Sequence, residues 1–225
     1  MKDKNVLVIA AHADDETLGC GGTIQKLKKL GHQVYVMLFT DGETSRTKNL
    51  SKEIKNRSDQ LKKVSKLLNF KIFKHYNLPD NELDKISNLE LTKKIESAII
   101  KINPEIILTH SNKDLNIDHQ KISNATITAC RPLPQSKIKQ LLFFETLSST
   151  EWNFNSNKTN FNPNKFYDIG DFIEKKLEAI KIYKSEIRQP PHPRSLEGIK
   201  ILSKYRGQSI GVNYAEAFEV GYIKD

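Results

Sequence analysis

Cysteine is nearly absent from this chain: its 225 residues hold only Cys20 and Cys130. Two thiols make no disulfide framework, and both fall in segments that read as helix, so they are expected to be small core residues. No apolar run approaches the roughly 18 residues that a membrane span requires. Met1-Lys2-Asp3-Lys4 leads straight into an apolar segment. That leaves no room for a signal peptide, and a cytoplasmic protein is expected. Acidic residues are outnumbered, 27 against 36 lysines and arginines, for a net charge of +9. The excess is concentrated between Lys48 and Lys74, with nine basic residues against Glu53 and Asp59. The helical part of that run, Ser51 to Leu68, has no aromatic residue to stack on a base, and its lysines fall on the polar side of an amphipathic pattern. A solvated face is expected there rather than a nucleic-acid surface. Repeats and low-complexity linkers are also missing, so the chain is read as a single domain over 1–225.

One more absence is informative. The first turn of the chain carries no G-x-G-x-x-G, because Gly19, Gly21 and Gly22 have the wrong spacing and follow a run of acids. A dinucleotide site is excluded, since carboxylates repel a pyrophosphate. What stands there instead is V-L-V-I-A-A-H-A-D-D-E-T-L-G-C-G-G-T-I, Val6 to Ile24. Val6 to Ala10 reads as a strand buried on both faces. From Thr17 to Leu30 the apolar spacing becomes helical, at Leu18, Ile24, Leu27 and Leu30. His12, Asp14, Asp15 and Glu16 therefore lie in the strand-to-helix turn, at the carboxyl edge where open parallel sheets bind ligands. Imidazole with carboxylate suits a divalent metal, zinc in particular. The competing reading is that Asp14 or Asp15 merely caps the helix.

The segment A-A-H-A-D-D-E-T-L-G-C-G-G resembles the signature of the LmbE-like, or PIG-L, family of zinc-dependent N-deacetylases. The resemblance implies a Rossmann-like fold and a metal held by His12, Asp15 and a distant histidine, with Asp14 as general base. The distant pair is Asp118-His119 in H-S-N-K-D-L-N-I-D-H, which makes His119 the third zinc ligand and Asp118 its outer partner. It also implies that Arg57, and Asp80 after the third strand, contact substrate, and that Thr40-Asp41-Gly42-Glu43 and the A-E-A-F of Ala215 to Phe218 lie near the site. The implied reaction is removal of an N-acetyl group from an amino sugar or sugar conjugate of the N-acetylglucosamine type, nucleotide- or lipid-linked, in surface-glycan or small-thiol biosynthesis. A zinc amidase on a non-sugar amide and a non-catalytic binding relic are the alternatives. A small-molecule N-acetylated sugar is thus the expected partner, with no nucleic acid and no membrane span, and a homo-oligomer is left open.

The remaining chain alternates strands and helices. Gln33 to Thr40, Phe70 to Leu78, Glu105 to Thr109, Leu141 to Glu145 and Phe166 to Ile169 read as strands. Ser51 to Leu68, Leu89 to Ile102, a segment beyond His119, Asp171 to Tyr183 and Ser195 to Arg206 read as helices. The spacing predicts an α/β fold with a doubly wound, mostly parallel sheet and helices on both faces. Glu151 to Pro163, with the single tryptophan, reads as a long surface loop shaping the cleft. In Gln189-Pro190-Pro191-His192-Pro193-Arg194-Ser195, prolines stiffen the backbone around His192 and Arg194. The family's H-x-D-H has Asn116 in place of its first histidine, and an asparagine cannot supply a proton at neutral pH. Either Asp14 then serves as both base and acid, or another group supplies the donor; His192 is favoured for this ahead of His110, and Arg194 is expected to bind an anionic group of the substrate.

Overall fold

The computed structural model describes residues 4–46, 50–154 and 160–224. Its seven strands are β1 (Asn5–Ala10), β2 (Gln33–Thr40), β3 (Lys71–Leu78), β4 (Ile106–His110), β5 (Gln140–Phe144), β6 (Lys165–Asp168) and β7 (Ala215–Ile223). They form one sheet in the order β3-β2-β1-β4-β5-β7-β6. The first five are mutually parallel, and β7 runs antiparallel between β5 and β6. The α-helices are α1 (Asp15–Lys29), α2 (Leu50–Leu68), α3 (Asn88–Ile102), α4 (Ile117–Ala129), α5 (Ile173–Ile182) and α6 (Leu196–Gln208).

Alternation along β1 explains the layering. Val6, Val8 and Ala10 face a core completed by Ile24 and Leu27 of α1, Leu61, Val64 and Leu68 of α2, and Ala179 of α5. Leu7 and Ile9 face the opposite core, with Leu91, Ile95 and Ala98 of α3 and Ile122 and Ala125 of α4. Both faces are covered, which is why β1 is an unbroken apolar run. Arg57, Leu61, Val64 and Leu68 are the buried residues of α2, whereas Lys52, Lys55, Lys62, Lys63 and Lys66 are exposed on its other side.

The structure refines two local expectations and adds a third feature. Helix α1 begins at Asp15 rather than Thr17, so two acids occupy its first turn, where they complement the helix dipole. A-E-A-F does not simply enclose a cleft; it starts β7, a strand that short-range periodicity did not reveal. Helix α1 also has a kink at Cys20, whose backbone is non-helical. The freed amides of Gly22 and Thr23 donate to Glu216 at 2.9 and 2.6 Å, and Lys176 Nζ donates to Glu216 and to the Leu18 carbonyl, both at 2.7 Å. A buried lysine–glutamate pair thereby satisfies the backbone groups that the kink exposes. The glycines of the first motif serve packing: a Cβ on Gly19 would lie 2.3 Å from the Phe144 ring, and one on Gly22 would lie 2.8 Å from Ile169.

Candidate metal centre

The sheet order reverses direction between β1 and β4, and the turn after β1 meets the end of β4 there. A crevice at such a switch point is where open α/β sheets bind ligands. His12 Nδ1, Asp15 Oδ2 and His119 Nε2 converge on one spot, at pairwise separations of 2.9, 3.1 and 3.2 Å. Bond lengths of about 2.0–2.2 Å place neighbouring donors of a tetrahedral zinc about 3.3 Å apart, so the triangle has nearly the size of one face. Asp15 Oδ1 is buried without a hydrogen-bond partner, an orphaned acceptor that a cation would satisfy. The residues present therefore fit a divalent metal.

Carboxylates back both imidazoles. His12 Nε2 lies 3.0 Å from Asp80 Oδ1 and 3.3 Å from Asp118 Oδ2, and His119 Nδ1 lies 3.1 Å from Asp114 Oδ2. Such partners fix ring orientation and raise ligand basicity. They are themselves anchored. Asp118 accepts from the amides of Asn81 (2.8 Å) and Leu83 (3.0 Å), and Asp114 from Thr150 Oγ1 (2.8 Å), the Asn116 amide (2.8 Å) and Ser149 Oγ. Among the described residues, two further His/Asp groups have metal-ligand spacing, His110-Asp114-His119 and His12-Asp80-Asp118. In each, the acids are carboxylates that back the imidazoles of His12 and His119. His110 Nε2 is also taken, because it accepts from the Ala11 amide at 3.0 Å.

The electrostatics point the same way. Burial opposes charge on His119, yet Asp114 and Asp15 outweigh it and raise its pKa to about 9. Burial likewise opposes charge on His12, but Asp15 and the other carboxylates hold its pKa well above the ordinary value. Burial would raise Asp15, but the neighbouring histidines hold it well below the carboxylate range. Burial also works against Asp114, which His119 brings down to about 2. This cage of carboxylates draws positive charge into its centre. His110 goes the other way: burial and the adjacent His119 push it down to about 4, and the two rings stack with centroids 3.9 Å apart. Its bond to the Ala11 amide ties β4 to the metal turn.

The other expected residues divide. Asp14 makes no side-chain cap bond, so the capping alternative falls. It has a φ of 150°, a strained value for a residue with a side chain, and Oδ2 accepts from Arg194 at 3.1 Å. Burial and Asp15 raise it to about 6 against the pull of Arg194. A small cavity opens here, and His12, Asp14, Arg46, Arg57, Asn116 and Arg194 are among the residues lining it. Asp80 is buried against His12 and accepts from Ser45 Oγ and, at 3.2 Å, from Asn81 Nδ2. Arg57 lines the cavity, but its donors are committed to Glu43 (3.0 and 2.7 Å), the Ala13 carbonyl (3.2 Å) and Glu186. These bonds brace the T-D-G-E turn against the metal turn. Asn116 Oδ1 caps α4, accepting from Asp118 at 2.8 Å and His119 at 3.4 Å, and so presents the ligand helix. His192 is not among the residues lining the cavity; it packs against Trp152 with ring centroids 5.3 Å apart, and its Nδ1 accepts from the Arg194 amide at 3.0 Å. The stiff segment sets Arg194 against Asp14 and His192 against Trp152. Part of the expected cleft loop, residues 155–159, lies outside the described residues.

Sequence reasoning missed Asp114 and Glu186. Asp114 stood in the quoted H-S-N-K-D run, but only the His119 ring identifies its part. Glu186 receives Arg46 (2.8 Å), Arg57 and Arg194 (3.1 Å), and burial notwithstanding, Arg57 and its neighbours lower it to about 2. We expect Arg57→Met to strand Glu43 as a buried charge and to take one of three arginines from Glu186, destabilising the protein by about 3–5 kcal/mol. Chemical denaturation of the variant checks this, and a change below about 1 kcal/mol would remove the bracing role.

Fold and site together define a class: an α/β protein with a buried His-Asp-His donor set and an adjacent acid at the carboxyl edge of its sheet, a layout suited to metal-dependent hydrolysis. Residues 7–130, more than half the chain, match the family described as PIG-L, GlcNAc-PI de-N-acetylase, and the chain belongs to this family. The uncharacterized deacetylase YaiS of Escherichia coli (strain K12) is 28% identical over 82% of this chain and 92% of its own length. Diacetylchitobiose deacetylase of Thermococcus kodakarensis is 27% identical over 95% of this chain and 81% of its own. Among solved structures, N,N'-diacetylchitobiose deacetylase from Pyrococcus horikoshii superposes with a TM-score of 0.77 at 24% identity, over 96% of this chain and 83% of that one. GalB from Pseudomonas putida, a 4-carboxy-2-hydroxymuconate hydratase, shares the fold with a TM-score of 0.75 at 20% identity, over 99% of this chain and 98% of that one. The fold alone therefore does not set the reaction, and the site must.

Proposed function

We propose that this protein is a zinc-dependent hydrolase that removes the N-acetyl group from an amino sugar of the N-acetylglucosamine type. One observation carries the reading: Asp14, free of any capping duty, lines the same cavity as His12 and adjoins Asp15 of the donor set. Two relatives that align over most of this chain support it, the E. coli protein named a deacetylase and the Thermococcus diacetylchitobiose deacetylase. His12, Asp15 and His119 would hold the zinc, a metal suited to two imidazoles and a carboxylate. Bound there, it would supply a Lewis acid for the acyl group and lower the pKa of a water to about 7.

The chain's own residues do the rest. Asp14 takes a proton from the attacking water, and its raised pKa suits it to hold that proton and release it again. Asp80, Asp118 and Asp114 hold the two histidines in the orientation that turns one nitrogen inward. Glu16 steadies Asp14, accepting from its amide at 3.0 Å with one oxygen while Tyr183 donates to the other at 2.9 Å. The test is metal analysis of the purified protein together with an acetate-release assay on diacetylchitobiose, N-acetylglucosamine, a sugar nucleotide and a lipid-linked N-acetylglucosamine. About one zinc per chain and release from at least one sugar are expected; no release from any sugar by zinc-loaded protein would overturn the reading.

A further inference from the structure

We propose that Arg194 is the catalytic residue through which this chain binds the acyl oxygen of its substrate. The inference rests on the hydrolase reading and assigns a role at the same site. An amide under attack gathers negative charge on its oxygen, and a site that works well aims a fixed N–H donor at that atom.

The donors around the cavity can be taken in turn. Four of the five N–H groups of Arg57 are committed, two to Glu43, one to the Ala13 carbonyl and one to Glu186. His12 has one nitrogen in the donor triangle and the other against Asp80 and Asp118. Asn116 spends its oxygen on the α4 cap and turns its amide to Asn81 at 3.4 Å. Arg46 is bonded to Glu186 with its side chain 44% exposed, and no contact joins it to Asp14.

Arg194 differs from all of these. Nε donates to the Leu147 carbonyl at 3.1 Å, and one terminal nitrogen donates to both Asp14 Oδ2 and Glu186 Oε2, each at 3.1 Å. The other terminal nitrogen has no protein acceptor among the described residues, and it is not one of the buried atoms lacking a partner. The side chain is 15% exposed and lines the cavity. A guanidinium pinned through three N–H groups, with two more left on the open side, is preorganised to donate without ordering cost at the moment of reaction.

The backbone holds it equally firmly. Pro193 precedes it, the Arg194 amide donates to His192 Nδ1 at 3.0 Å, and Ser195 caps α6 by accepting from the Gly198 amide at 2.9 Å. The same guanidinium touches the residue read as the base, so proton acceptor and oxygen donor are set side by side.

The step balances with these two residues. The water oxygen bonds to the acyl carbon as Asp14 takes one water proton, and the carbonyl electron pair moves onto the acyl oxygen, where Arg194 donates. The pair returns as the C–N bond breaks, and Asp14 passes its proton to the departing nitrogen. The products are the carboxylic acid and the free amine. Arginine supplies a hydrogen bond but no proton, so Asp14 acts in both directions.

The test uses metal-loaded protein and the N-acetyl sugar that wild type turns over fastest. Arg194→Lys keeps the charge facing Asp14 and Glu186 but has a single nitrogen, which cannot serve the carboxylates and a substrate together. Its kcat is expected to fall by about 10²–10³-fold, the loss typical of one such donor. KM should stay within a factor of about three, with zinc content unchanged, because the donor acts on charge that develops only in the transition state. Millimolar guanidinium, but not ammonium, should restore kcat to Arg194→Ala. A kcat for Arg194→Lys near wild type, a loss confined to KM, or a loss that guanidinium fails to restore in a folded Arg194→Ala would each overturn the assignment. Acetate binding, read by NMR titration of wild type and Arg194→Lys, is independent of turnover. Binding weakened about tenfold, the effect of one charge-assisted hydrogen bond, supports the assignment, and equal binding overturns it. If wild type binds acetate through Arg194 yet releases none from any sugar, the reaction is wrong and the donor stands.

Discussion

Asp14→Asn is expected to retain the metal and to lose about 10²–10⁴-fold in kcat, the usual contribution of a positioned acid–base group. The side chain keeps its size, and an amide can still accept from Arg194. What it cannot do is take a proton from water. The backbone of Asp14 is held independently of its side chain, because Glu16 accepts from the amide, and the amides of Thr17 and Leu18 donate to the carbonyl at 3.0 and 2.8 Å. The turn should therefore survive the substitution. Metal analysis and a melting curve beside the kinetics decide the matter: near-normal turnover with metal retained would remove Asp14 from the mechanism. Loss of metal would instead make it a contributor to the donor set.

The second large effect is expected at the ligands. His119→Ala and Asp15→Ala should each lose most of the bound zinc and, with it, all measurable turnover. Asp15 accepts from the His12 amide at 2.8 Å and lies against three imidazole rings, so removing it takes away the charge around which the histidines are arranged. Metal binding to the folded state also stabilises it, by about 4 kcal/mol at a thousandfold excess over Kd. Chelation should accordingly lower the melting temperature of wild type and leave His119→Ala unmoved. The contrast is informative because Asp114 and Asp118 remain, so a site built on those acids would keep its metal in both variants. Full zinc occupancy in His119→Ala and Asp15→Ala would rule out the donor set.

The proline segment shows how far a motif can be followed along a chain. Proline stiffness marked residues 189–195 as a segment that holds side chains in place, but stiffness does not say where each one is directed. His192 and Arg194 are two residues apart, and the turn directs one to Trp152 and the other to Asp14. The same limit applies to Arg57 and Asp80. Both stand where a substrate contact was expected, yet each is occupied by a protein partner, Arg57 by Glu43 and Glu186, and Asp80 by His12.

The order of strands and helices, the burial of β1 on both faces and the placing of H-A-D-D at a strand end follow from the sequence alone. They are short-range matters of apolar period and turn chemistry that a dozen neighbouring residues settle. The convergence of His12, Asp15 and His119 needed the parallel pairing of β1 with β4, which brings positions 107 residues apart within 3.1 Å. Strand β7 was likewise invisible, because its partners lie in β5 and β6 and its Gly221 and Glu219 break any simple alternation. Glu186 became the hub of three arginines only when the first half of α2, the turn after β2 and the proline segment before α6 closed on the chain just beyond α5. A carboxylate has no period and no local signature, and its partner is chosen by which charges the fold leaves within about 4 Å of it.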